Sequence, residues 1–551
     1  MIVLSKKLWE EHIENSLITD GMYRATNDSD HDDAYISELK FGTAGIRGKI
    51  GLGPNRLNRY TVERIALGLA RSMREQGRDV VVIGYDIRHL SREFSETIAS
   101  VLVNNDVKVY LSEGYITTPE LSFFTRSHEA DFGIMITASH NPPEYNGIKV
   151  YGADGAQITD VPADELSSKI NAIDDFFNIG SVDFDDALAD GRVEHIDYEH
   201  YEKYQQKVKD LSGDIPPSDL QVVFSSLHGT ALPLTQYLLE ELGFNNMTLV
   251  DKECEADSDF THVTSANPED TDAFTGARAL GRDKNADLLI ATDPDADRIG
   301  IEVLHDGEYA HLNGNQLGVI LLYNRLKETE FEKTPVVVKS VVTSDLSKKI
   351  AEKSGAEVIE VLTGFKYIGQ IALALEEDAE REFAFGYEES YGYLISDFVR
   401  DKDAIQIVPA IVKLASSLKN DDVTLVDYLN DIYDEFGCRM EKMISHKFEG
   451  IQGKEKISEI MDQFRRNTPT EIEGRKVTCV EDFKNSERRL SSGQVETIDL
   501  PKADVIKIHF EDGWIALRPS GTEPKIKLYV SLDTHHINEE AKIINDMVFG
   551  L

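Results

Sequence analysis

Apolar runs that end abruptly in polar loops recur along this chain. VVVIGYD (80–86), QVVFSSLHGTA (221–231) and PVVVKSVVTS (335–344) read as opening strands. GIMITASHNP (133–142), LLIATDPDADR (288–298) and FAFGYEESYG (383–392) read as later strands, each stopped at once by polar residues. Between them apolar residues return at helical spacing. TVERIALGLARSM sets Ile65, Leu69 and Met73 on one face, and Thr118-Pro119-Glu120 predicts an N-cap with proline at the first helical position. The spacing of the runs is too uneven for a solenoid and points to three related α/β units. VIKIHFEDGWIALRPSGTEPKIKLYVSL alternates as antiparallel strands do around Pro519–Pro524, so the last unit is expected to be α+β. Linkers are expected near 205–218, 324–335 and 445–470, giving units over 1–208, 209–324, 325–446 and 447–551.

Length supports this division, because 551 residues exceed what one hydrophobic core organises. Hydrophobic residues at 41% and charged residues at 28% describe a folded, water-soluble chain, with no apolar window of membrane-spanning length. The opening MIVLSKKLWEEHIENS lacks the apolar core of a secretory signal, and Cys254, Cys438 and Cys479 are too few and too scattered for a disulfide framework or a cysteine metal site. A cytoplasmic location is expected. Net charge changes the picture more: at −41 the chain disfavours nucleic acid or an anionic membrane as partner, and no obligate protein partner is indicated. An anionic ligand would need a local basic pocket set against the overall field.

Four polar loops carry candidate chemistry, and in open α/β sheets such loops form ligand sites beyond the carboxyl ends of the strands. Ser139 is followed by Asn141-Pro142-Pro143, where fixed backbone dihedrals hold its hydroxyl outward. A hydrolase elbow is excluded, because Thr137 and Asn141 stand where its glycines belong. Asp293, Asp295 and Asp297 alternate in DPDADR and would repel one another without a hard cation such as Mg2+. An EF-hand is excluded by Arg298 at the turn-glycine position and Leu304 at the bidentate-glutamate position. GYEESYG offers acceptors and a hydroxyl suited to sugar hydroxyls, and RPSGTEPK combines a guanidinium, hydroxyls and glycine amides as a phosphate cradle would.

In this order TASHNP, DPDADR, GYEESYG and RPSGTEPK resemble the four signatures of the α-D-phosphohexomutase superfamily, and the opening FGTAGIRG (41–48) with the chain length resembles its long-chain phosphoglucomutase/phosphomannomutase branch. The resemblance implies an α/β architecture of four domains around a central cleft: three related mixed α/β domains and a C-terminal α+β phosphate-binding domain. It implies a phosphoserine at Ser139, with Mg2+ bridging its phosphate to Asp293, Asp295 and Asp297. Glu388 and Ser390, with Thr363, Gly364 and Arg298, would hold the sugar, while Arg518, Ser520, Gly521, Thr522 and Lys527 would hold the nonreacting phosphate. Arg47 and Lys149 would lie beside the phosphoserine with His140 assisting, and Lys366 would act as general acid or base, its pKa depressed by crowding from Arg298 or Lys149. The implied reaction interconverts glucose 1-phosphate and glucose 6-phosphate through glucose 1,6-bisphosphate, which is also the expected activator. Phosphomannomutase or phosphopentomutase activity is the nearer alternative. A metal-dependent phosphatase using Asp293 as nucleophile is the more distant one.

Overall fold

The computed structural model describes residues 6–19, 21–22, 33–42, 45–448, 450–520 and 525–550. Its first sheet contains β1 (Gly45–Lys49), β2 (Val80–Tyr85), β3 (Lys108–Leu111), β4 (Phe132–Ile136), β5 (Tyr145–Gly152) and β6 (Val193–His195), in the order β1-β5-β4-β2-β3-β6. The second contains β7 (Val222–Ser225), β8 (Met247–Leu249), β9 (Leu288–Thr292), β10 (Ile299–His305) and β11 (Glu308–Leu312), ordered β11-β10-β9-β7-β8. The third, β13-β12-β14-β15, is built from β12 (Thr334–Ser340), β13 (Glu357–Val361), β14 (Arg381–Glu388) and β15 (Gly392–Leu394).

One plan is used three times. A middle strand (β2, β7, β12) lies between two parallel neighbours, and the later neighbour (β4, β9, β14) turns straight back into an antiparallel strand (β5, β10, β15). A parallel strand ordinarily feeds a long crossover, so a tight return at this point is informative. It places Ser139, the DPDADR carboxylates and Ser390 on equivalent loops at the carboxyl ends of equivalent strands. FGIMI of β4 and LLIAT of β9 are buried at every position, as expected of strands covered on both faces.

The fourth sheet is antiparallel throughout. It adds β16 (Met440–Lys447) to β19 (Cys479–Asp482), β20 (Glu487–Leu490), β21 (Val495–Thr497), β22 (Ile506–His509), β23 (Gly513–Pro519) and β24 (Lys525–Leu532), ordered β16-β24-β23-β22-β19-β20-β21. A separate ribbon pairs β17 (Glu471–Ile472) with β18 (Arg475–Lys476).

Several local expectations change. The N-cap is Thr117 rather than Thr118: its hydroxyl accepts from Glu120 N–H at 3.2 Å, and Pro119 is the second residue of helix Thr118–Ser127. Thr118 is unavailable because its hydroxyl donates to Asp295. The linker expected at 445–470 holds helix Gly450–Arg466, which buries Ile457 and Met461 against the fourth sheet. The boundaries expected at 208/209, 324/325 and 446/447 fall inside helix Tyr198–Ser212, helix Gly314–Glu328 and β16. Helix Tyr198–Ser212 packs against helices of the first, second and third units, so composition alone does not locate that cut.

The carboxylate loop is where the first three units meet. Thr118 N–H donates to Asp295 O at 2.9 Å, Thr230 N–H to Pro294 O at 2.9 Å and Ala404 N–H to Ala296 O at 3.1 Å, while Ile299 N–H reaches Tyr391 O at 3.2 Å. Gly229 permits this approach, since a Cβ there would stand 2.4 Å from Pro294 Cα. Helix Ala404–Asn420 begins beside the loop and is capped by Asp403, which accepts from Ile405 and Gln406 N–H. Burial pushes Asp403 up to about 7. Tyr204, across the seam, donates to it at 2.9 Å. Tyr204→Phe should therefore lower the thermal unfolding midpoint, reflecting a loss of roughly 1–3 kcal/mol for a buried polar group left short of a partner. Calorimetry showing an unchanged midpoint would contradict this.

Candidate active site

Beyond β4, Ser139 N–H donates to Thr137 Oγ1 at 2.8 Å and the serine takes a φ of 54°, a left-handed value that costs a side-chain-bearing residue energy. Its buried hydroxyl donates to Asp293 Oδ2 at 2.8 Å. His140 Nδ1 lies 3.4 Å from the same Oγ. Burial, then the Arg298 and Arg47 charges, holds the imidazole well below its usual pKa, so it is neutral near pH 7. Arg47 Nη1 donates to Asn141 Oδ1 at 3.2 Å, which ties β1 to the serine loop.

The DPDADR carboxylates are buried and each offers an oxygen within 4.8 Å of the others. Most of their oxygens are taken. Asp295 Oδ2 accepts from Lys149 Nζ and Thr118 Oγ1, both at 2.7 Å. Asp297 Oδ2 accepts from Lys149 Nζ at 2.9 Å and lies 3.1 Å from Lys402 Nζ. Asp293 Oδ1 accepts from Arg298 N–H at 2.9 Å. Oδ1 of Asp295 and Oδ1 of Asp297 are buried without a hydrogen-bond partner. Such oxygens are costly unless a cation meets them, and this all-oxygen set suits a hard divalent ion. The charges fall out accordingly. Burial, Asp297 and Asp295 push Asp293 well up, whereas for Asp297 burial is overcome by Lys149, Lys402 and Arg298, which hold it well down.

Lys149 lies at the same cluster: its ammonium spans Asp295 and Asp297, next to the Asp293 carboxylate that accepts from Ser139. Thr118, Lys402 and Arg88, whose guanidinium holds the serine loop's carbonyls, were not found by sequence reasoning. The available signal was a charged or polar group directly after an apolar run, in GYDIR, GYITTPE and DFVRDKD.

In the third unit Glu388 Oε1 accepts from Gly364 N–H at 2.6 Å, which brings the Thr363-Gly364 turn to the GYEESYG loop. Burial first, then Glu389, raises Glu388. Glu389 points elsewhere, accepting from Ser340 and Thr343 hydroxyls at 3.1 Å each. Ser390 lines a cavity of about 460 Å3 with Glu389, His311 and Lys527. Arg298 Nε stands 3.7 Å from Asp297 Oδ1 and its Nη1 4.0 Å from Glu269, leading from the carboxylates towards that cavity. Lys366 Nζ lies 2.5 Å from Asp160 Oδ1, and Tyr367 donates to Asp160 Oδ2 at 2.8 Å.

The fourth loop lies between β23 and β24. Arg518 is in register with Lys527, and Ser520 N–H donates to Lys525 O at 2.8 Å. Against burial, Tyr529, Glu389 and Glu388 raise Arg518, so its cation faces the GYEESYG loop. Gly521 and Thr522 lie outside the described residues.

Residues 38–176, 200–306 and 313–436 match the families described as phosphoglucomutase/phosphomannomutase α/β/α domains I, II and III, and 454–542 match the C-terminal domain of the same set. A Staphylococcus epidermidis protein named phosphoglucomutase is 48% identical over 550 residues, covering 99% of this chain and 100% of its own length. A Staphylococcus aureus protein of the same name is 47% identical over 557 residues, covering 100% and 99%. Among solved structures, Paramecium parafusin, a phosphoglucomutase, superposes with a TM-score of 0.68 at 20% identity, covering 93% of this chain and 94% of its own. A Burkholderia thailandensis phosphoglucomutase/phosphomannomutase family protein gives 0.67 at 19% identity, covering 93% and 98%. The fold, the four ordered loops and these matches agree: the chain belongs to the phosphoglucomutase/phosphomannomutase family of α-D-phosphohexomutases.

Proposed function

We propose that this chain is a cytoplasmic phosphoglucomutase that interconverts α-D-glucose 1-phosphate and glucose 6-phosphate through a phosphoserine at Ser139. The observation that carries the reading is the Ser139 hydroxyl 2.8 Å from Asp293, at the edge of three buried carboxylates two of which keep an unpaired oxygen. Full-length relatives named phosphoglucomutase support the substrate. No described helix is long and apolar enough to cross a membrane.

Asp293, Asp295 and Asp297 would hold Mg2+ together with the Ser139 phosphate, and the bound ion would offset charge on the transferring phosphoryl oxygens. The chain's own residues do the rest. Lys149 and Lys402 fix Asp295 and Asp297 so that one oxygen of each is left for the ion. Arg47 and neutral His140 flank the serine loop. Glu388, Ser390, Thr363, Gly364 and Arg298 hold the sugar, and Arg518, Ser520, Gly521, Thr522 and Lys527 hold the phosphate that is not reacting.

In the first transfer the free sugar hydroxyl attacks phosphorus in line; its O–P bond forms as the Ser139 Oγ–P bond breaks. The hydroxyl proton passes to Lys366 Nζ, which has first released a proton to solvent and which Asp160 Oδ1 orients from 2.5 Å. Ser139 Oγ keeps the bonding electrons and takes up a proton. Glucose 1,6-bisphosphate, now formed, turns round and returns its other phosphate to Ser139. The same compound would activate dephosphorylated enzyme.

Phosphorus NMR with Mg2+ and catalytic glucose 1,6-bisphosphate tests the reading. Glucose 1-phosphate should convert to glucose 6-phosphate faster than mannose or ribose 1-phosphates react, with little free phosphate. Preference for another sugar would move the assignment within the family, and free phosphate from every substrate would make the chain a phosphatase. Chelation of divalent ions, or Asp297→Asn, should lower turnover by about 10²–10³-fold or more, the scale of losing one preorganised electrostatic contact. Retained turnover after exhaustive chelation would remove the metal from the mechanism. Lys366→Met should cost about 10²–10⁴-fold in kcat, the usual range for a general acid or base. Near-normal kcat in that variant would assign proton transfer elsewhere.

A further inference from the structure

The loop carrying Ser139 makes few backbone hydrogen bonds of its own: Asn141 N–H to Ala138 O at 3.1 Å and Tyr145 N–H to Pro142 O at 3.0 Å. Pro142 and Pro143 supply no amide. Four of its carbonyls are gathered instead by one side chain. Arg88 Nη2 donates to Ser139 O at 2.6 Å and to Asn141 O, and Nη1 donates to Pro142 O and Tyr145 O at 2.9 Å each. The guanidinium is fully buried, and its Nε lies 3.3 Å from Asp86 Oδ2.

The outer face of Arg88 is closed by the second unit. Phe260 sets its ring centroid 4.9 Å from the guanidinium carbon. Its segment is fastened to the residues around Arg88: Ser258 Oγ donates to Ile87 O at 2.6 Å, and His89 Nε2 lies 2.7 Å from Asp259 Oδ1. A planar fork can reach four carbonyls from one position, whereas an ammonium offers a single point charge. A left-handed serine is strained and persists only where its surroundings over-determine it. In-line transfer is sensitive to placement, a 1 Å error costing about 10²-fold.

We propose that Arg88 is a positioning residue for Ser139, acting through the loop carbonyls, and that Phe260 of the second unit holds it in that pose. The inference rests on the phosphoserine reading above. Arg88 touches the serine backbone and none of the reacting atoms. Its loss should therefore degrade the aim of the phosphoryl group more than sugar binding.

The test compares Arg88→Lys and Phe260→Leu with the unaltered enzyme. It reads kcat, KM for glucose 1-phosphate, inorganic phosphate released per turnover, thermal midpoint, and the rate at which glucose 1,6-bisphosphate phosphorylates Ser139, followed by intact mass. Arg88→Lys should lower kcat per folded molecule by about 10- to 100-fold while KM stays within about threefold, with more phosphate lost to water per turnover. Phe260→Leu should move the same quantities in the same direction by less. A kcat per folded molecule within about twofold of the unaltered enzyme in both variants, whatever happens to the midpoint, overturns the proposal and leaves Arg88 a structural arginine. If the unaltered enzyme does not turn over glucose 1-phosphate, the functional reading fails separately. The Ser139 phosphorylation rate then decides, and a rate unchanged by Arg88→Lys overturns the positioning role.

Discussion

Three buried carboxylates with oxygens within 4.8 Å of one another set the constraint on which the structure turns. Such a cluster repels itself, and burial weakens the screening that bulk solvent gives. The chain answers with fixed partners drawn from every side: Lys149 and Thr118 from the first unit, the Arg298 amide from the loop itself, and Lys402 from the third unit. Each takes one oxygen, and Oδ1 of Asp295 and Oδ1 of Asp297 are left over. The unpaired oxygens of Asp295 and Asp297 are therefore a consequence of how the partners are distributed.

The same loop organises the assembly. Its backbone is bonded to Thr118, Thr230, Ala404 and Tyr391, so the first three units share one hydrogen-bonded centre. Their apolar cores also run together, with Phe124, Phe224, Val337 and Phe385 in one buried cluster. The fourth sheet keeps its own core and meets the third unit through Trp514, Ala516 and Tyr529 against Val341, Val342 and Leu362. Repetition of one strand order explains why three loops arrive at the same place: each follows a parallel strand that doubles back at its carboxyl end.

The overall charge of −41 opposes any anionic substrate, so binding must rest on local arrangement. Arg47, Arg298, Arg518 and Lys527 are supplied by different units, and the acidic groups near them are already committed. Glu388 receives the Gly364 amide, Glu389 the Ser340 and Thr343 hydroxyls, and Asp160 pairs with Lys366. These bonds fix where each carboxylate points without changing the sign of the surface.

Much of the fold was legible along the chain, because strands buried on both faces must be apolar throughout and an antiparallel sheet with one wet face must alternate. The chemistry was legible where it is local: three aspartates at alternate positions, or a serine followed by two prolines, announce themselves within a few residues. Thr118 was read only as a helix cap, and Lys402 and Arg88 drew no reading. Thr118 and Lys402 meet carboxylates far away in sequence, and Arg88 works on backbone carbonyls that any sequence would present. Neighbouring Glu388 and Glu389 are chemically alike, yet the strand ends at Glu388 and the chain turns at Glu389, so their partners differ. The sequence by itself determined which segments are buried strands and which loops carry charge. Tertiary structure alone decided which oxygen of each aspartate is taken and which is left, because that choice belongs to partners brought together only when separate units pack.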